Sequence, residues 1–206
     1  LTVSASSLVG YGIADNKALA TLPLSFHLLG TMLAGIPASL LMKRVGRRYG
    51  FMIGTGIGAS GAAAATIAII YSNFVFFCMS IFLLGILSGF SQLYRFTAAD
   101  VARPEFRTKA VSLVMFGGIL AGFIGPTIAA KAKDLIADAP FAGSYLFVIM
   151  FHVVIVAILF MIRLPQPTVE EQTGESRPWR EIFSQPKFIV AVLTSMVGYG
   201  VMAMIM

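Results

Sequence analysis

From Ala18 to Met42 the chain carries no Asp, Glu, Lys or Arg. Four cations, Lys43, Arg44, Arg47 and Arg48, then arrive within six residues, and a second uncharged run opens at Tyr49. An apolar run of this length matches the ~20 residues a helix needs to cross a bilayer. Short loops dense in Lys and Arg stay on the cytoplasmic side. The stretch from Ser39 to Arg48 therefore reads as a cytoplasmic turn between two transmembrane helices, and the other spans are counted from it.

Residues 1–13 read as the tail of a first helix, with Asp15, Asn16 and Lys17 as the outside turn. The second helix runs from about Ala18 to Met42; Pro23 is tolerated near its start, and Pro37 is expected to bend it. The third runs from about Gly50 to Ile70. Its Gly54, Gly58 and Ala62 recur every fourth position, a spacing that lets helices approach closely. Gly56 to Gly61 also spells Gly-x-Gly-x-x-Gly, but a dinucleotide turn needs a preceding strand, and this is the start of a membrane helix. The fourth helix runs from about Phe74 to Asp100, the fifth from Ala110 to Ala130, the sixth from Ala142 to Ile162, and the seventh starts near Phe188. The polar stretch 164–186 reads as a cytoplasmic linker, with Trp179 and Phe183 as interface anchors. The domain reading is a bundle over 1–163, the linker over 164–186 and the start of a second bundle over 187–206. Leu1 and Met206 both fall inside apolar stretches, which reads as an internal fragment.

On this count twelve of the fifteen cations lie at inside connectors or helix ends, and only Lys17, Lys131 and Lys133 lie outside. That asymmetry accounts for the net charge of +6 without nucleic acid. Only 12% of the residues are charged, against about 25% in soluble domains, so the class is an all-α polytopic membrane protein. A single cysteine, Cys78, excludes an internal disulfide. The sequence offers no metal-ligand cluster, no nucleophile with a base and no phosphate loop, so neither an enzyme nor a cofactor is expected.

The turn also resembles the signature between helices two and three of the major facilitator superfamily, Gly-x-x-x-Asp-Arg/Lys-x-Gly-Arg/Lys-Arg/Lys. Arg44, Gly46, Arg47 and Arg48 fall on its basic and glycine positions; Ser39 and Lys43 depart from the first glycine and the aspartate. The resemblance covers the whole chain, from late helix one to mid helix seven. It implies the amino-terminal six-helix half of that fold plus the start of the carboxy-terminal half. The function it implies is permease-type secondary transport of a small solute by alternating access, coupled to protons, in a bacterial inner membrane surrounded by lipid. A non-transporting receptor or assembly scaffold is the alternative, and the Lys43 departure is its best support.

The resemblance also assigns residues. Lys43, Arg44, Gly46, Arg47 and Arg48 would form a cytoplasmic gate with Asp100 and Arg107, which stand seven apart as in many members. Asp100 would pair with Arg44, Arg48 or Arg107; alternatively it only terminates its helix. The fourth helix lines the central cavity in this family, so Gln92, Tyr94 and Arg95 are candidates for solute contact or coupling. Arg95 also lies within reach of the headgroups by snorkelling. His27 is the better of two mid-membrane histidines for proton transfer; His152 reads as packed. In helix five, Gly118, Gly122, Gly125 and Pro126 partly match the antiporter motif of exporting members and tilt the reading toward efflux, with tight packing as the plainer alternative.

Overall fold

In the computed structural model residues 2–133, 135–136, 139–162, 164 and 184–205 are described. Trp179, Phe183, Arg163, Arg177, Arg180 and nearly all of the 164–186 connector lie outside them. Every regular element among the described residues is helical. Five stretches are long and apolar enough to span a membrane: Lys17–Val45, Arg47–Ile70, Phe74–Val101, Pro104–Ala132 and Ala142–Met161. The chain divides into two compact units, Leu1–Pro167 and Thr168–Met206. The second contributes one helix, α8 (Pro186–Ile205).

The first unit opens with α1 (Thr2–Ile13). The Lys17 Nζ donates to the Tyr11 and Ala14 carbonyls at 2.7 and 2.9 Å, placing a cation where the helix has orphan acceptors and a negative dipole end. Asn16 caps the next short 3₁₀ turn, Lys17–Leu19, by accepting from the Ala18 N–H. Helix α2 (Leu22–Val45) follows, and Pro37 falls inside it without ending it.

The cation-dense turn is shorter than the hydropathy pattern implies. Helix α3 (Arg47–Ile70) begins after a single linking residue, Gly46, with φ 87° and ψ 157°. Side chains are almost wholly excluded from that backbone region, so a reversal this tight requires glycine. Lys43 and Arg44 sit in the last turn of α2, and Arg47 and Arg48 in the first turn of α3.

At the far end, Asn73 caps α4 (Phe74–Ser91) by accepting from the Phe76 N–H at 2.9 Å. The fourth span is not one helix to Asp100. It breaks at Gln92 and Leu93 and resumes as α5 (Tyr94–Val101). Ser88 and Ser91 each donate a hydroxyl back to the carbonyl four residues earlier, at 3.2 and 3.0 Å. Such bonds loosen and bend a helix. Leu93 then bonds to Phe90, three residues back, which tightens the ladder to 3₁₀. After a turn at Pro104–Phe106 come α6 (Arg107–Ala132) and α7 (Ala142–Met161). Between them Phe141 takes a left-handed φ of 70° and donates its N–H to Lys133.

Helix α4 packs on α2 and α3, and α3 packs on α7. The core has two parts. One, at the end away from the cation-dense turn, gathers Ala65, Ile69, Phe77, Ile81 and Tyr145. Here the wholly buried Tyr145 stands edge-on to Phe77 and lies 3.4 Å from the Ser6 hydroxyl. The other, at the cation-rich end, gathers Ala38, Met42, Phe51, Phe90 and Leu159.

Candidate functional site: a charged end and a polar seam

A cation in the first turn of a helix faces the positive end of its dipole, at a cost of roughly 0.3–1 kcal/mol. Lys43 and Arg44, in a last turn, escape that cost; Arg47 and Arg48 do not, and each has an acceptor. Arg47 Nη2 lies 2.6 Å from Asp100 Oδ2 at the end of α5, both side chains partly open to solvent. Arg48 reaches the other way, donating from Nε to the Leu159 carbonyl at 3.0 Å and from Nη2 to the Phe160 carbonyl at 2.7 Å. Its guanidinium also lies 5.8 Å from the Phe160 ring centroid.

The acid that the sequence paired with Arg44, Arg48 or Arg107 thus meets Arg47. Arg44 and Arg107 are exposed, and Arg107 opens α6. Ring stacking reinforces the α3–α5 contact: Tyr94 lies parallel to Phe51 at 4.2 Å. Tyr94 is therefore engaged in packing. Gln92 sits exposed at the helix break, and Arg95 lies over the Phe96 ring at 5.0 Å with a buried Nε that has no hydrogen-bond partner.

Midway along the bundle α2 and α4 touch backbone to backbone. A Cβ on Gly85 would run into the His27 carbonyl oxygen, and one on Gly30 into the Phe82 carbonyl oxygen. Thr31 Oγ1 stands between the His27 carbonyl at 2.9 Å and the Gly85 carbonyl at 3.1 Å. In this seam His27 is buried, its Nε2 3.2 Å from Ser88 Oγ, while its Nδ1 has no partner. The Ser88 hydroxyl has one proton and two neighbours, His27 and the Leu84 carbonyl. It can donate to His27 or accept from it, so the pair accommodates either ring tautomer.

His152 is buried on the other side of α4. Its Nδ1 bonds the Val148 carbonyl, and its Nε2 would stand 2.8 Å from a Cβ on Gly58. The third-helix glycine thus makes the notch that the imidazole fills. In α6 the outcome differs: a Cβ on Gly118 or Gly122 would meet nothing within 4 Å. Gly125 is half-buried and Pro126 exposed. Pro126 supplies no N–H to the Gly122 carbonyl.

Sequence reasoning missed Arg48 on the α7 carbonyls, Thr31 between two backbones and the Ser6–Tyr145 pair. A signal existed only for the first: an arginine in a first helical turn needs an acceptor.

Comparison with known proteins agrees with this architecture. The family model of the Major Facilitator Superfamily matches residues 3–206. The riboflavin transporter RfnT of Brucella anthropi is 35% identical over 210 residues, covering 100% of this chain and 52% of the relative. The chain thus spans about half the length of that relative. No solved structure matches it.

Proposed function

The chain belongs to the major facilitator superfamily, and from that premise we propose that it carries half of a transporter for riboflavin or a closely related flavin, working by alternating access in a bacterial inner membrane. The observation that carries the substrate is the 35% identity to a riboflavin transporter along the whole chain. In such a mechanism two bundles rock about a site near the bilayer midplane. The Arg47–Asp100 pair is suited to a reversible latch at the cytoplasmic end. It is partly exposed, and exposed ion pairs contribute only about 0–1 kcal/mol, weak enough to be made and broken within a transport cycle.

Proton coupling through His27 is the finer reading. Among the described residues the middles of the spans hold no Asp, Glu, Lys or Arg, and histidine is the side chain that changes charge near neutral pH. His27 holds Ser88 with one nitrogen and leaves the other without a partner. Taking up a proton makes both nitrogens donors and turns the Ser88 hydroxyl to the Leu84 carbonyl. The partial match of Gly118, Gly122, Gly125 and Pro126 to the exporters' motif supports outward movement of the solute only slightly.

Riboflavin flux in proteoliposomes holding the full-length protein tests this. We expect flux that follows an imposed pH gradient in the wild type and loses that dependence in His27→Gln. Binding without flux returns the receptor reading, and neither binding nor flux removes the flavin. Gradient-dependent flux that survives His27→Gln removes His27.

A further inference from the structure

Two helices start with a pair of cations at the cation-rich end, and the two pairs fare differently. Arg47 and Arg48 of α3 both find acceptors within the bundle. The first turn of α6 carries Arg107 and Lys109 and no acidic residue. Among the described residues the side chains of Arg103 and Arg107 make no hydrogen bond or ion pair, and Lys109 only stands over the Phe106 ring, 5.4 Å from its centroid. Arg107 and Lys109 also face the positive end of the α6 dipole, so helix stability does not account for them. Every residue from Arg103 to Lys109 is exposed, and the stretch holds three cations against one acid, Glu105. The preceding acid, Asp100, is engaged by Arg47.

The same stretch exposes apolar surface. Val101 and Phe106 are each 48% exposed. The Arg47–Asp100 contact sets the last turn of α5 beside the cation-dense turn, so the connector that follows lies at the level of the cytoplasmic headgroups. A small soluble anion would use the cations and leave the ring and the valine idle. A phospholipid uses both. Aromatic side chains favour the headgroup level, and the anionic lipids of the cytoplasmic leaflet attract cations placed beside a span. We propose that the connector between α5 and α6 binds an anionic phospholipid of the inner leaflet. Arg103, Arg107 and Lys109 take its phosphate, and Phe106 and Val101 take its apolar part. The proposal is independent of the solute and of coupling through His27.

Native mass spectrometry of the full-length protein in detergent, titrated with phosphatidylglycerol, phosphatidylethanolamine or inorganic phosphate, tests it. The wild type is expected to retain phosphatidylglycerol, to hold phosphatidylethanolamine more weakly and to retain no phosphate. Arg107→Gln with Lys109→Gln should weaken phosphatidylglycerol retention by roughly tenfold or more. Lys131→Gln, which removes an exposed cation from the last turn of the same helix, should leave retention unchanged. Phe106→Ser removes the ring but supplies a favoured N-cap residue, so α6 keeps its start while phosphatidylglycerol is held several-fold less well. Unchanged retention in the double variant overturns the proposal, and so does an equal loss in Lys131→Gln, which would mean attraction by net charge alone. Retention of inorganic phosphate, or no effect of Phe106→Ser, would leave an anion site and overturn the lipid. Thermal midpoints separate loss of fold from loss of lipid and are expected to stay at the wild-type value, because these side chains are exposed. Should the double variant melt early, Arg103→Gln decides, since Arg103 lies outside α6: weaker phosphatidylglycerol retention supports the site, and none overturns it.

Discussion

Helices α3 and α6 look alike as sequence and end up differently. Both are apolar, of spanning length, and carry glycines at close intervals. Half of α3's most apolar stretch is buried, and almost none of α6's is. Gly54 meets the Phe90 ring, Gly58 meets Leu87 and His152, and Gly61 meets Leu83; Gly117, Gly118 and Gly122 meet nothing. A small residue removes a barrier to close approach, but it does not supply the neighbour. Whether a glycine stripe becomes an interface depends on what the rest of the chain delivers to it.

A glycine-to-alanine series across the two helices and their partner α4 gives the sharpest test, read as the thermal midpoint of the detergent-solubilised protein. Gly85→Ala should cost most, because its Cβ meets the rigid backbone oxygen of His27. Forcing α2 and α4 apart belongs with overpacking, at about 1–3 kcal/mol or more. A wild-type midpoint there would mean that the α2–α4 approach is looser than described. Gly58→Ala should lie between. Its Cβ meets the ends of the Leu87 and His152 side chains, which can shift, so we expect a loss of about 1 kcal/mol. A cost equal to that of Gly85→Ala would show that His152 is held rigidly in its notch.

Asp100→Asn, which removes the Arg47 pair, should cost no more than about 1 kcal/mol in stability. Its larger effect is expected on solute turnover and on cysteine accessibility from the cytoplasmic side. Wild-type flux and accessibility together would defeat the latch. Gly122→Ala should cost nothing, and the helix preference for alanine could raise stability by up to ~1 kcal/mol. A loss as large as that for Gly85→Ala would show that the open face of α6 is covered in the full-length protein.

The sequence by itself determined which segments cross the membrane and where they turn. Those properties are local: an uncharged run and a cluster of cations. It also brought Asp100 to the cation-rich end, since spans of known length alternate in direction. What only the tertiary structure decided is which group meets which. Asp100 had four arginines within the turn and the next helix to choose from, and packing of Tyr94 on Phe51 set α5 so that it meets Arg47. Arg48 found backbone carbonyls more than a hundred residues away, partners that carry no mark in the sequence because every residue has one. The bend at Gln92 and Leu93, the His27–Ser88 seam and the bare face of α6 are of the same kind. Hydropathy and charge act on each span separately, whereas contacts depend on the rotation and tilt of two helices at once, and those are fixed only when the side chains pack.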